Sequence, residues 1–321
     1  MSESPSTADA AAAAEPTVEA AGETARTVID NVEQVIVGNH EAIEHLVCAM
    51  LGRGHVLLED VPGVGKTMLA RSIARSFECE FKRVQFTPDL LPTDITGVNV
   101  YNQQTGEFEF RSGPVFANVV LGDEINRAPP KTQSALLEAM EEEQVTVDGE
   151  SYPVPSPFTV VATQNSVERD RTYDLPAAEL DRFMVQLSLG YPDEADEADL
   201  LGRVVGDHPI EELDPVATTA DLRAAREATG EVTVEAPLRE YVTRLARYTR
   251  EHAQLGVSPR GAIALLRGAQ ARAVLDGRDY AIPDDVQAEA EVVMAHRIRR
   301  SAGEGTGAEL VAEALDAVAV E

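Results

Sequence analysis

The sequence predicts an α/β fold: a three-layer αβα core built on a mostly parallel sheet, followed by an all-α second domain. Three observations carry this. Apolar runs of strand length alternate with stretches of helical apolar spacing up to about residue 191, the pattern of βαβ units. One strand-to-helix junction reads Asp60-Val61-Pro62-Gly63-Val64-Gly65-Lys66-Thr67. Beyond Tyr191-Pro192-Asp193 strand signals nearly vanish, and helices rich in Ala, Arg, Glu and Leu run to the end.

The elements follow in order. Residues 1–24 are Ala, Glu, Ser, Thr and Pro without apolar periodicity, and a disordered acidic tail is expected. Glu23 to Met50 has helical spacing, broken at Val37-Gly38-Asn39. Val56-Leu57-Leu58 is the first strand; Met68 to Ala74 continues the helix opened by Lys66-Thr67. Phe81 to Phe86 is the second strand. Thr87 to Ser112 lacks helical period but holds two alternating pieces around Asn102 to Gly106, which predicts a hairpin over 97–111 projecting from the core. A long plain loop is the alternative. Val119 to Glu124 is a buried strand, Lys131 to Glu143 a helix, and 145–154 a second hairpin about Asp148-Gly149. Phe158 to Thr163 is another buried strand. The domains are therefore 25–191 and 192–321.

The junction at Asp60–Thr67 has the chemistry of a phosphate-binding loop. Gly63 and Gly65 allow a backbone curl whose N–H groups face phosphate oxygens, and the helix N-terminus adds its positive dipole end. Lys66 would reach the β and γ phosphates, and Thr67 would offer its hydroxyl to Mg²⁺. The first glycine of the usual G-x-x-x-x-G-K-[ST] pattern is Asp60 here, leaving Pro62-Gly63 to make the turn. Asp123-Glu124 ends an apolar strand on the side of the sheet where the loop lies. Asp123 would hold Mg²⁺, and Glu124 would orient and deprotonate the attacking water. Asn165, after the neighbouring strand, can hold the same water. Arg182 in Leu180-Asp181-Arg182-Phe183 suits γ-phosphate charge, or else forms an ion pair with Asp181 or Glu179. Arg260 in Ser258-Pro259-Arg260 could reach back to the nucleotide, or else serves its helix terminus. Arg169 and Arg171 are further candidates that the sequence does not rank.

Composition narrows the function. Net charge is −29, from 56 acidic and 27 basic residues, with only three lysines. Such a surface disfavours non-specific nucleic-acid binding. It also matches proteome-wide adaptation to high salt, as in halophilic archaea, in which case it reports habitat rather than partner. No apolar run approaches the ~20 residues of a membrane helix, and the first residues lack the basic start of a signal peptide, so a cytoplasmic protein is expected. Cys48 and Cys79 are expected to be free thiols.

Taken together the run Asp123-Glu124-Ile125-Asn126-Arg127-Ala128-Pro129-Pro130-Lys131-Thr132-Gln133-Ser134-Ala135-Leu136-Leu137-Glu138-Ala139-Met140-Glu141-Glu142 closely resembles the MoxR branch of AAA+ ATPases. Val37-Gly38, Pro62 to Thr67, Ala162-Thr163-Gln164-Asn165, Leu180 to Phe183 and Ser258-Pro259-Arg260 match in order, over about residues 25 to 300. Asp60 fits this branch, where that glycine is often replaced. The resemblance implies an AAA+ core and lid binding ATP and Mg²⁺. Residues 59–67, with Met68 following, would be Walker A, Asp123-Glu124 Walker B, Asn165 sensor 1 and Arg260 sensor 2. Arg182 would be an arginine finger acting on a neighbouring subunit, and Val37-Gly38 would lie by the adenine. It further implies a homo-oligomeric ring, typically a hexamer, acting like a chaperone on client proteins, often with a von Willebrand factor A-type partner. A nucleic-acid motor or loader and a chelatase-type metal-insertion subunit are the competing functions. The hairpin tip, with Asn102, Gln103, Gln104, Thr105 and Glu107, lacks the Lys or Arg that DNA tracking needs.

Overall fold

The structure, a computed structural model, describes residues 17–165, 173–203 and 209–320. Helices α1 (Val18–Glu33) and α2 (His40–Leu51) precede strand β1 (Val56–Asp60) and helix α3 (Lys66–Ser76). Next come β2 (Phe81–Gln85), the short α4 (Pro92–Thr96), and the hairpin β3 (Gly97–Asn102) and β4 (Glu107–Ser112). Strand β5 (Val119–Asp123), helix α5 (Pro130–Glu142), the hairpin β6 (Gln144–Val147) and β7 (Glu150–Pro153), and β8 (Thr159–Asn165) follow. The core closes with α6 (Ala177–Leu180) and β9 (Val185–Leu187). Helices α7 (Glu194–Arg203), α8 (Pro209–Glu212), α9 (Thr219–Glu231), α10 (Ala236–His252), α11 (Pro259–Leu275), α12 (Pro283–Met294) and α13 (Gly307–Ala317) complete the chain.

The five core strands form one parallel sheet in the order β2-β5-β8-β1-β9. Period-2 alternation decides which side chain faces which layer. Val56 and Leu58 of β1 join Val119, Leu121, Val161 and Val185 in one apolar cluster under α1, α2 and α3. Leu57 joins Val84, Val120, Val160 and Ala162 in the other, under Leu136, Leu137 and Met140 of α5. Both faces are covered, as a parallel sheet requires. Because all strands run the same way, Asp60, Gln85, Asp123 and Asn165 reach one edge, where the register pairs Asp60 with Asn165 and Gln85 with Asp123.

Three sequence expectations change. The sequence predicts a tail over 1–24, but α1 starts at Val18, with the Thr17 side chain accepting from the Ala20 amide. Ala21, Gly22 and Ala25 are buried on α9 and α11, and a Cβ on Gly22 would sit 2.3 Å from the Val274 carbonyl oxygen. Alanine-rich sequence looks featureless because its small side chains buy close helix approach rather than visible periodicity. The rest of that segment, 1–16, lies outside the described residues. The second change is β9, which no periodicity announced: it has three residues with polar Gln186 in the middle, and it exists because β1 offers it a ladder. The third is the place of Arg260, which pairs with Glu141 of α5. Both hairpins form as expected, with positive φ at Asp148 and Gly149 in the second. They are locked together by Phe110 stacked on Tyr152 at 4.0 Å and by Asn99 Nδ2 donating to Asp148 Oδ2 at 2.8 Å.

Candidate nucleotide site

The loop from Val61 to Gly65 links β1 to α3. Gly63 and Gly65 have φ of +90° and +96°, where an L side chain is strained. A Cβ on either would meet nothing within 4 Å, so the need for glycine is conformational and the space beyond the loop is open. Val64 packs on the core, while Pro62, Gly63, Gly65, Lys66, Thr67 and Met68 line a cavity of about 370 Å³. Asp123, Glu124 and Asn165 line the same cavity. Lys66 is 8% exposed, and its Nζ donates to the Asp60 and Val61 carbonyls at 2.9 and 3.0 Å. Burial lowers its pKa, against the pull of Asp60, Asp123 and Glu124.

The carboxylates are held from two strands, β8 and β2, and from the turn after β5. Thr163 Oγ1 donates to Asp123 Oδ1 at 2.6 Å and accepts from the Glu124 amide at 2.8 Å. That second bond supports Glu124 in a left-handed conformation (φ +57°), which turns its side chain out of the strand direction. Asn165 Nδ2 donates to Glu124 Oε1 at 2.8 Å; Gln85 Nε2 and Arg127 Nη1 each donate to Oε2 at 2.7 Å. Arg83 donates to Asp123 Oδ2 through Nε and Nη2, at 3.0 and 2.6 Å. Sequence reading found Asn165 but not Thr163, Gln85, Arg83 or Arg127. Gln85 ends β2 beside Asp123 and Thr163 lies near the end of β8, a positional signal for those two; Arg83 at mid-strand and Arg127 in the turn after β5 carry none.

Thr67 and Asp123 offer hard oxygen donors into one cavity. Among the described residues no group of three or more His, Cys, Asp or Glu could hold a metal unaided. That set fits Mg²⁺, which takes one or two protein oxygens and completes its octahedron with phosphate oxygens and water. Asp60, in place of a glycine, lines a second cavity of about 1170 Å³ together with Gly38, Gln186, Ser188, and α12 and α13 of the second domain. Gly38 thus opens beside the loop, and Val37 is half-buried next to it.

Arg182 and Arg260 are elsewhere. Both donate to Glu141: Arg182 Nη2 to Oε2 at 3.0 Å, Arg260 Nη2 to Oε1. Arg182 Nη1 also donates to the Leu137 carbonyl at 2.8 Å. They line a cavity of about 220 Å³ with Arg53, His55 and Arg267. Gly52 to His55 precede β1 and the phosphate loop follows it, so the two places lie at opposite ends of a strand about 16 Å long. An arginine side chain does not span that distance, and the expectation that Arg260 reaches back to its own nucleotide is corrected. Ser258, the N-cap of α11, donates to Asp181, which also binds Arg297 Nε at 2.8 Å; this pins the start of α11 to the far edge. Asp181 being so engaged, Arg182 does not pair with it. Arg169 and Arg171 lie outside the described residues.

A glycine loop entering a helix, a strand-end carboxylate pair and an amide facing it, all at the C-terminal edge of a parallel sheet, define the site of a P-loop nucleoside triphosphatase. The family model described as "ATPase family associated with various cellular activities (AAA)" matches residues 55–185, and that of the AAA lid domain matches 245–314. The chain belongs to the MoxR family of AAA+ ATPases. It is 41% identical over 286 residues to the chaperone MoxR1 of Mycobacterium tuberculosis, covering 86% of this chain and 75% of that one. It is 50% identical to the protein YeaC of Bacillus subtilis over 298 residues, covering 91% and 93%. The crystal structure of a candidate ATPase from Cytophaga hutchinsonii superposes with a TM-score of 0.87 at 37% identity, covering 94% and 96%. Among the described residues no helix is long and apolar enough to cross a membrane.

Proposed function

We propose that this protein hydrolyses ATP within a ring of its own copies, typically a hexamer, and uses the cycle to remodel or mature other proteins. The observation that carries the proposal is the division of the site between two edges. The phosphate loop, Asp123, Glu124 and Asn165 lie at one; Arg182 and Arg260 lie at the other, in a cationic cavity of a chain whose net charge is −29. A site completed by a neighbour's arginines needs both edges exposed, and closes only in an oligomer. In this reading Thr67 and Asp123 hold Mg²⁺, Lys66 the β and γ phosphates, and Val37-Gly38 lie by the adenine. Glu124 orients and deprotonates water with Asn165, and the arginines neutralise transition-state charge. Such fingers contribute about 10³–10⁵ in rate. The ATPase unit ends near residue 191 and the lid follows. A chaperone-like role is supported by the likeness to MoxR1; a von Willebrand factor A-type partner and a cytoplasmic setting go with it, and the acidic, lysine-poor composition supports a salt-adapted source.

The test is subunit mixing. Lys66→Ala and Arg182→Ala proteins are each expected to be nearly inactive. Mixed, they should recover turnover, because Lys66→Ala subunits supply Arg182 to intact phosphate loops next door. Mixtures no more active than their components would remove the trans assignment.

A further inference from the structure

Asp60 stands where the general phosphate-loop pattern has glycine, and nothing in the ATPase chemistry above uses its side chain. The structure gives that carboxylate a full set of partners. Oδ1 accepts from the Val61 amide at 2.8 Å, at the first residue of the loop. Oδ2 accepts from the Leu189 amide at 2.6 Å, the Gly190 amide at 2.8 Å and the Ser188 hydroxyl at 3.1 Å. These three residues follow β9, just where its ladder with β1 ends: the register runs from Val56–Val185 to Leu58–Leu187 and no further. They are also the start of the connection into the lid, whose first helix begins at Glu194. Asp60 itself is 6% exposed. Burial acts to raise its pKa, but the donors outweigh it and hold the carboxyl below the ordinary value, ionised at neutral pH.

The main chain of the same residue faces the loop lysine. Lys66 Nζ donates to the Asp60 and Val61 carbonyls, so any movement of Lys66 toward a phosphate changes the contacts of the segment whose carboxylate grips 188–190. A glycine at position 60 would leave the Leu189 and Gly190 amides without this acceptor. We propose that Asp60 is a positioning residue that couples the phosphate loop to the lid, its carboxylate joining Val61 on one side to Ser188, Leu189 and Gly190 on the other. The lid then responds to nucleotide through residues 60–61 and 188–190. This rests on the reading of the loop as an ATP site.

Hydrogen–deuterium exchange on the full-length protein, with and without Mg²⁺ and the slowly hydrolysed analogue ATPγS, tests it. In the wild type the analogue should slow exchange in the phosphate loop and change it in 188–203 together. In Asp60→Gly the Leu189 and Gly190 amides should exchange roughly tenfold to hundredfold faster, the factor set by losing a bond to a charged acceptor. The loop should still be protected by ATPγS, and the response of 188–203 should vanish. Asp60→Asn keeps the shape and so the fold, and has one acceptor oxygen fewer; its lid response should be reduced. A lid response of wild-type size in both variants would overturn the coupling. Absence of loop protection in the wild type would instead overturn the ATP reading, and this inference with it.

Discussion

Glu124→Gln separates chemistry from binding more cleanly than any other substitution here. The carboxylate accepts from Asn165 on one oxygen and from Gln85 and Arg127 on the other. A glutamine at 124 can turn its amide oxygen to Gln85 and Arg127, while its NH₂ group faces Asn165, whose own amide flips to offer its oxygen. The network survives; the charge is lost. Arg127 is 41% exposed at the side chain, so its ion pair is worth at most about 1 kcal/mol after screening, and the midpoint of thermal unfolding should fall by less than about 4 °C. Catalysis loses its base, which in enzymes contributes about 10²–10⁴ in rate. Phosphate release should drop by at least about a hundredfold, while binding of a fluorescent ATP analogue stays within a few fold. Turnover within tenfold of wild type, with nucleotide bound, would refute the assignment of Glu124 and with it the meaning given to the Asn165 contact. A large drop in both binding and melting temperature would show that the amide network was misjudged.

Lys66→Ala should weaken ATP binding by roughly ten- to a hundredfold, the loss of one bond from a charged donor to phosphate; unchanged affinity in a titration would move the phosphates elsewhere. Acid sensitivity should trace to His55 at the far edge. Its Nδ1 accepts from the Val160 amide and its Nε2 donates to the Met140 carbonyl, both at 3.0 Å, so both nitrogens are committed in the neutral form. Burial lowers its pKa from 6.5 to about 4. The unfolded chain therefore takes the proton first, and stability falls as pH drops from 6.5 to about 4, by about 3 kcal/mol in all. Denaturant melts of wild type and His55→Gln should converge by that amount over the window; parallel pH profiles would exclude the histidine. In the wild type, turnover per subunit should fall on dilution below ring assembly, as light scattering and phosphate release measured together would show.

The sequence by itself determined the things that depend on short-range geometry. Gly63, Gly65, Lys66 and Thr67 read as a phosphate loop because a tight curl and a helix N-terminus need those types at that spacing, and φ of +90° and +96° at the glycines is the demand they meet. Asp123, Glu124 and Asn165 were legible because parallel strands must end on one side, so residues after each strand converge whatever lies between them. What lay beyond the sequence was everything set by contacts between distant segments. The start of α1, Val18–Gly22, hid in alanine-rich sequence because the surfaces that bury it include α9 and α11, some 200 residues on. Strand β9 is too short to carry a period; its ladder is with β1, and α2 and α12 pack on it. Arg182 and Arg260 both suit γ-phosphate charge, but a motif gives a residue's type and not its edge of the sheet; the core holds Arg182 against Leu137 and Glu141 of α5, and the lid, pinned through Ser258, Asp181 and Arg297, brings Arg260 to the same Glu141, about a strand's length from the phosphate loop. Asp60 read as a missing glycine for the same reason: the three donors on its Oδ2, at Ser188, Leu189 and Gly190, lie nearly 130 residues along the chain, and only folding brings them to it.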